Sequence, residues 1–330
     1  ENSLYKPTPT IIEAAQALYH GHSVKDISRS DSGAINLSKT ADAINKIIDT
    51  SKKQHKKSIC FITGVPGSGK TLAGLNLAVE QQKLNGKDYA VFLSGNGPIV
   101  EVLREALARN AVKNSVEKTT KKSALRKVTK FIQNIHHFRD EALKSETPPI
   151  EKVVVFDEAQ RAWTHKKTSS FMQKKKNVVD FPMSEPEFLI GIMDRHKDWT
   201  VIICLIGGGQ EIHTGEAGLP EWFSALKKLY SHWHVYLSAE ISDIEYTRGT
   251  EIKEIVGNLR YDSLEDLHLS TSIRSFRSEN VSKLIKNILD CEKEEAKLLL
   301  SKLEGKYPIV ITRDIDKAKK WLKENARGTE

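Results

Sequence analysis

At 330 residues, with 39% hydrophobic and 28% charged residues, the chain is long enough for two domains and too apolar to be disordered. No apolar run approaches the ~18–20 residues of a helical membrane span, and the three cysteines, Cys60, Cys204 and Cys291, are scattered and without metal-ligand spacing, which suits a reducing cytosol and argues against a disulfide framework. The net charge of +8 is focused, with seven lysines and arginines against one acid in residues 113–130 and six against one in residues 161–180. That distribution suits a polyanionic partner, or two solvated surface segments. The chain begins at Glu1 rather than Met, with no visible leader, and reads as a piece of a longer or processed protein.

Residues 1–57 read as helices with loops. Ile11, Ile12, Ala15, Leu18 and Tyr19 share one helical face. Residues 21–33 read as a connection, and Ser38 as the cap of a second helix carrying Ala41, Ile44, Ile47 and Ile48. An apolar run of strand type, residues 58–63, then leads into Gly64, Val65, Pro66, Gly67, Ser68, Gly69, Lys70 and Thr71, the Walker A pattern G-x-x-x-x-G-K-[ST]. Leu72, Leu75, Leu77, Ala78 and Val79 follow at roughly helical spacing. Strand, glycine turn and helix together make the pattern a triphosphate site. Lys70 is placed to reach the β/γ-phosphates, and Thr71 to hold Mg²⁺ through its hydroxyl.

Residues 89–93 form a second expected strand, and a helix with Pro98 in its first turn follows. The basic stretch reads as one helix from about Ser123 to Leu143, stopped by Pro148 and Pro149. Residues 152–156 are a third strand, closed by Asp157 and Glu158 in a Walker B pattern: Asp157 orients Mg²⁺, and Glu158 positions the attacking water. Residues 161–183 read as a basic loop interleaving lysines with Trp163 and Phe171, suited to phosphate contact and base stacking, or a plain surface loop. Ser184 opens the next helix. Residues 200–206 are a fourth, almost wholly apolar strand, ending near Gln210, whose amide either senses the γ-phosphate or merely tidies a glycine turn. Residues 233–237 are a fifth strand, and residues 239–265 carry no clear pattern. Residues 266–269 and 307–312 suggest further strands, the latter with a last helix that looks like the opening of another α/β domain.

The stretches 64–71, 157–160, 207–212 and 269–275 stand in the order of the motifs of superfamily-one, UvrD-type helicases. More closely, with residues 95–98, 157–163 and 274–277, they resemble the Schlafen-like bacterial DNA/RNA helicase-domain family of ATPases, over most of residues 58–325. The resemblance implies phosphate and Mg²⁺ binding by Gly67, Gly69, Lys70 and Thr71, hydrolysis run by Asp157 and Glu158, and coupling of the γ-phosphate to interdomain movement by Gln210. It implies an arginine finger at Arg274, with Arg277 second, a single-strand contact at Ser94, Asn96 and Pro98, and a link from Walker B to the nucleic-acid path through Arg161 and Trp163. Two departures stand out. Gly208 replaces the usual Asp of the Gln motif, and the last two helicase motifs do not occur within the 330 residues.

The expected organisation is an N-terminal helical segment (1–57), a RecA-like P-loop ATPase domain with a parallel sheet and helices on both faces (58–265), and a partial second RecA-like domain (266–330). The expected function is an ATP- and Mg²⁺-dependent translocase or helicase motor gripping single-stranded DNA or RNA, cytoplasmic and joined to other domains of a longer parent chain. The alternative is an ATP-binding switch in a multidomain defence or signalling protein, without unwinding. A P-loop kinase fits less well, having no need for Glu158 or a Gln sensor.

Overall fold

A computed structural model describes residues 10–20, 31–85, 90–115, 119–208, 215–216, 218–247, 250–271, 278–303 and 309–325. The chain divides into two compact units, Glu1–Arg274 and Ser275–Glu330.

The first unit is built on a parallel sheet. Its strands are β1 (Lys57–Gly64), β2 (Ala90–Ser94), β3 (Ile132–Asn134), β4 (Val153–Asp157), β5 (Thr200–Leu205), β6 (His234–Ser238), β7 (Tyr261–Leu264) and β8 (His268–Leu269). They lie in the order β3-β2-β4-β5-β1-β6-β7, with β8 pairing the end of β1. The five central strands are almost entirely buried, which is why they read as continuous apolar runs. Alternation along β1 sends Cys60 and Ile62 to one face of the sheet and Ile59 and Phe61 to the other. The first face is covered by α1 (Ile11–Tyr19), α2 (Asp31–Lys53), α3 (Lys70–Asn85), α4 (Gly97–Lys113) and α5 (Lys121–Phe131). The second is covered by α6 (Ile135–Ala142), α7 (His165–Lys176), α8 (Glu185–Asp194), α9 (Gly218–Leu229), α10 (Ile244–Thr247) and α11 (Ile252–Val256). This is the RecA-like P-loop arrangement: β5 lies between the strand feeding the glycine turn and the strand ending in the acids.

Several local expectations change. The single helix expected over 123–143 is broken by β3, because Ile132 to Asn134 pair with Phe92 to Ser94 and the Ile132 carbonyl accepts from buried Arg104 at 2.8 Å. Asn134 then caps α6, its Oδ1 accepting from the His136 N–H at 2.8 Å. The expected basic loop after residue 161 contains α7, whose apolar period is too thin to read in sequence but which buries Thr168 and Met172. The two lysine-rich helices, α5 and α7, consequently lie on opposite faces of the sheet. Helix α2 starts at Asp31, inside the expected connection, so Ser38 sits within the helix rather than at its cap. It is tied to the β8 region, Thr40 Oγ1 donating to the Asp266 carbonyl at 2.6 Å. Residues 268 and 269 thus belong to the first sheet.

The second unit contains α12 (Ser278–Leu289), α13 (Lys293–Leu303) and α14 (Ile315–Asn325). Leu284 and Leu303 are buried, while α14 buries none of its residues. The strand expected over 307–312 is not formed in its described part, 309–312.

Candidate nucleotide site at the strand ends

The glycine turn between β1 and α3 holds its shape through backbone bonds and two residues in the left-handed region. Gly67 and Gly69 have φ of 77° and 89°, where a side chain is strained. The Val65 N–H donates to the Leu269 carbonyl of β8 at 3.0 Å, and the Ala73 N–H to the Gly69 carbonyl at 2.8 Å. A Cβ at Gly64 would stand 2.7 Å from both Leu269 Cβ and Ser68 Oγ, so β8 can pack on the turn only because residue 64 is glycine. Pro66 sits at the bend of the turn. Lys70 opens α3 and folds back, its Nζ donating to the Gly64 carbonyl at 2.7 Å and the Val65 carbonyl at 3.3 Å. Ser68 Oγ is buried and has no hydrogen-bond partner.

Opposite the turn, Asp157 ends β4. The Thr71 hydroxyl lies 3.2 and 3.3 Å from its two carboxylate oxygens. Burial, reinforced by the Glu158 carboxylate, pushes the Asp157 carboxyl up to about 7, against the pull of the Thr71 hydroxyl and the Lys70 ammonium. Glu158 itself adopts the left-handed conformation, with φ 54° and ψ 45°. A non-glycine residue there costs on the order of 1–2 kcal/mol, and the bend turns Glu158 out of the line of the strand. Gln160 Nε2 donates to Glu158 Oε2 at 2.5 Å, and Gln160 Oε1 accepts from the Gly207 N–H at 3.1 Å. Trp222, fully buried, donates its indole N–H to the Ala159 carbonyl at 2.9 Å and closes the floor.

Thr71, Asp157 and Glu158 line a cleft of about 580 Å³ at the carboxyl ends of the strands, together with Ser94, Asn96, His136 and Trp163. His136 and Trp163 belong to an aromatic and cationic cluster. Buried Arg139 lies 4.6 Å from the Phe171 ring and 5.4 Å from the Trp163 ring, and pairs with buried Glu185 at 3.1 Å. Glu185 Oε2 also accepts from the Trp163 N–H at 3.0 Å. Burial raises the Glu185 carboxyl and lowers the Arg139 guanidinium, while each pulls the other back. His136 packs 5.0 Å from Trp163 and is driven down to about 4, first by burial and then by Arg139. Arg161 pairs with Glu216 at 3.3 Å.

The structure therefore brings the Walker A turn, Thr71, Asp157 and Glu158 to one end of the sheet, with Ser94 and Asn96 along the same cleft. Gln210, Arg274 and Arg277 lie outside the described residues. Sequence reasoning singled out neither the role of Gln160 nor that of Arg139. The signal for Gln160 was only its place two residues after Glu158; for Arg139 there was none.

The donor set fits a Mg²⁺ nucleoside triphosphate. Left-handed glycines expose backbone N–H groups, an orphaned Ser68 hydroxyl lies in the turn, and a hydroxyl and a carboxylate stand side by side as hard oxygen donors. Among the described residues no three His, Cys, Asp or Glu side chains form a metal cluster. Among the described residues no helix is long and apolar enough to cross a membrane.

The sequence model of a family described as Schlafen group 3, DNA/RNA helicase domain, matches residues 57–330, and the chain belongs to that family. No curated protein matches the chain.

Proposed function

We propose that this member of the Schlafen group 3 helicase-domain family is the ATP- and Mg²⁺-dependent motor domain of a nucleic-acid translocase or helicase, gripping single-stranded DNA or RNA. The observation that carries the reading is the Thr71 hydroxyl, at the end of the glycine turn, 3.2 Å from Asp157, with Glu158 next in the chain and lining the same cleft. Thr71 and Asp157 would hold Mg²⁺, which when bound neutralises charge on the β- and γ-phosphates. Lys70 would leave its loop carbonyls for the phosphates and stabilise the charge that develops during transfer. Glu158, bent out of the strand, would orient the attacking water. Gln210 and Arg274 are proposed as γ-phosphate sensor and arginine finger on the motif order alone.

For the nucleic acid, the support is the cationic surface. Lys121, Lys122, Arg126, Lys127 and Lys130 on α5 are exposed, as are Lys166 and Lys174 to Lys176 on α7. Because these helices cover opposite faces, only one of them can flank a given strand path on a single face, and α7 directly follows the cleft residue Trp163.

The test is ATP turnover with and without single-stranded DNA or RNA over a salt series, beside Lys70→Ala. The motor reading expects stimulation, binding that weakens steeply with salt, and loss of nucleotide binding in Lys70→Ala. ATP binding with no nucleic-acid response leaves a nucleotide switch, and intact nucleotide binding in Lys70→Ala overturns the site.

A further inference from the structure

We propose that Gln160 is a positioning residue whose side-chain amide ties the Glu158 carboxylate to the backbone turn after β5, so that the water-directing acid and that turn move together. The inference rests on the reading of Glu158 given above.

The orientation of the amide is forced. The Gly207 N–H can only donate, so Gln160 Oε1 must face it, at 3.1 Å. That leaves Nε2 for the Glu158 carboxylate, at 2.5 Å. Gln160 is 4% exposed, so water has little access to replace either bond. No other natural side chain of this length offers a donor and an acceptor from one rigid plane. Glutamate keeps the acceptor for Gly207 but faces Glu158 with a second carboxyl; leucine keeps neither bond.

The tie is not isolated. The same segment also holds the far flank of residues 209–214: Thr164 N–H donates to the Gly215 carbonyl at 2.9 Å, Trp163 and Glu216 form an antiparallel bridge, and Arg161 pairs with Glu216. Residues 160–164 thus fix both flanks of the stretch that carries Gln210. A change at the Gly207 flank reaches Glu158 through one buried amide.

The two bonds are separable in one experiment on the intact chain. Amide exchange at Gly207 is measured without nucleotide, and ATP turnover is measured for kcat and KM, in Gln160→Leu, Gln160→Glu and Lys70→Ala. In Gln160→Leu, Gly207 exchange is expected to rise about tenfold or more, with kcat lowered. In Gln160→Glu, exchange is expected to stay near that of the parent chain, because an acceptor remains, while kcat falls about tenfold and KM changes less than about twofold. A purely structural role would move exchange and KM in both variants. The proposal is overturned if Gln160→Leu leaves Gly207 exchange unchanged, if Gln160→Glu keeps full kcat, or if KM rises in step with the loss of kcat. Lys70→Ala keeps the two readings apart: retained nucleotide binding there removes the hydrolytic role of the site, whereas the Gly207 result concerns the tie alone.

Discussion

The glycine turn after β1 and the segment after β4 both lie at the carboxyl end of the sheet, and they are held by different means. The turn is held mainly by backbone: left-handed glycines, backbone bonds inside residues 64–73, and the pairing of β8 with the end of β1. The segment from Glu158 to Thr164 is held through side-chain bonds, to or from Trp222, Glu185, Glu216 and the Gly207 N–H. A phosphate cradle needs rigid N–H groups and little else. On the function proposed above, Glu158 must respond to its surroundings and needs connections to them, and here those connections are buried polar bonds, which are costly to break singly.

The comparison can be sharpened by variants that touch one wall only. The largest effect is expected from Glu158→Gln, which keeps the shape of the second wall but removes its charge. ATP turnover should fall by about 10²–10⁴ with nucleotide affinity retained, as measured by single-turnover hydrolysis beside equilibrium binding. Next, Arg139→Ala leaves Glu185 buried without its ion-pair partner and removes the stack beneath Trp163 and Phe171. A loss of about 3–5 kcal/mol in urea unfolding is expected; a loss under about 1 kcal/mol would show that the cluster does not hold the wall. On the first wall, Gly64→Ala drives a Cβ into Leu269 and Ser68 and should cost about 1–3 kcal/mol while weakening nucleotide binding. Equal nucleotide affinity in that variant would mean that β8 does not shape the turn.

The smallest effect concerns pH. His136 titrates near 4 in the folded chain against an ordinary 6.5, because burial, and then the neighbouring Arg139 charge, disfavour its cation; Asp140 opposes this, and His137 and Lys176 add to it. The unfolded chain binds the extra proton between these values, so the contribution of His136 is complete above pH 6.5 and is lost as pH falls toward 4. With solvent screening discounted, this amounts to on the order of 1–2 kcal/mol. His136→Gln should flatten that part of the stability–pH curve, and an unchanged slope would assign it to other groups.

Much of this chain is legible from residues close together in sequence. Glycines at Gly67 and Gly69, the apolar run before them and the acids ending β4 each carry their signal within about ten residues, because the physics that fixes them is local: backbone sterics, strand burial and the chemistry of the strand end. The cap at Ser184, with Glu187 reciprocating, was readable for the same reason. Helix α7 was not, since its composition has no helical apolar period and its place is set by Met172 entering the second core, with Phe171 packed against it. Nor was the break at Ile132, where pairing with β2 overrides the helical pattern on either side.

By itself, then, the sequence determined the parallel α/β class, the cradle at residues 64–71 and the acids at 157 and 158. Only the tertiary structure decided that the two lysine-rich helices lie on opposite faces, that β8 closes on the glycine turn, and that Gln160 meets Gly207. These depend on contacts between residues tens to hundreds of positions apart, fixed by which strand lies beside which, and no local pattern encodes that order.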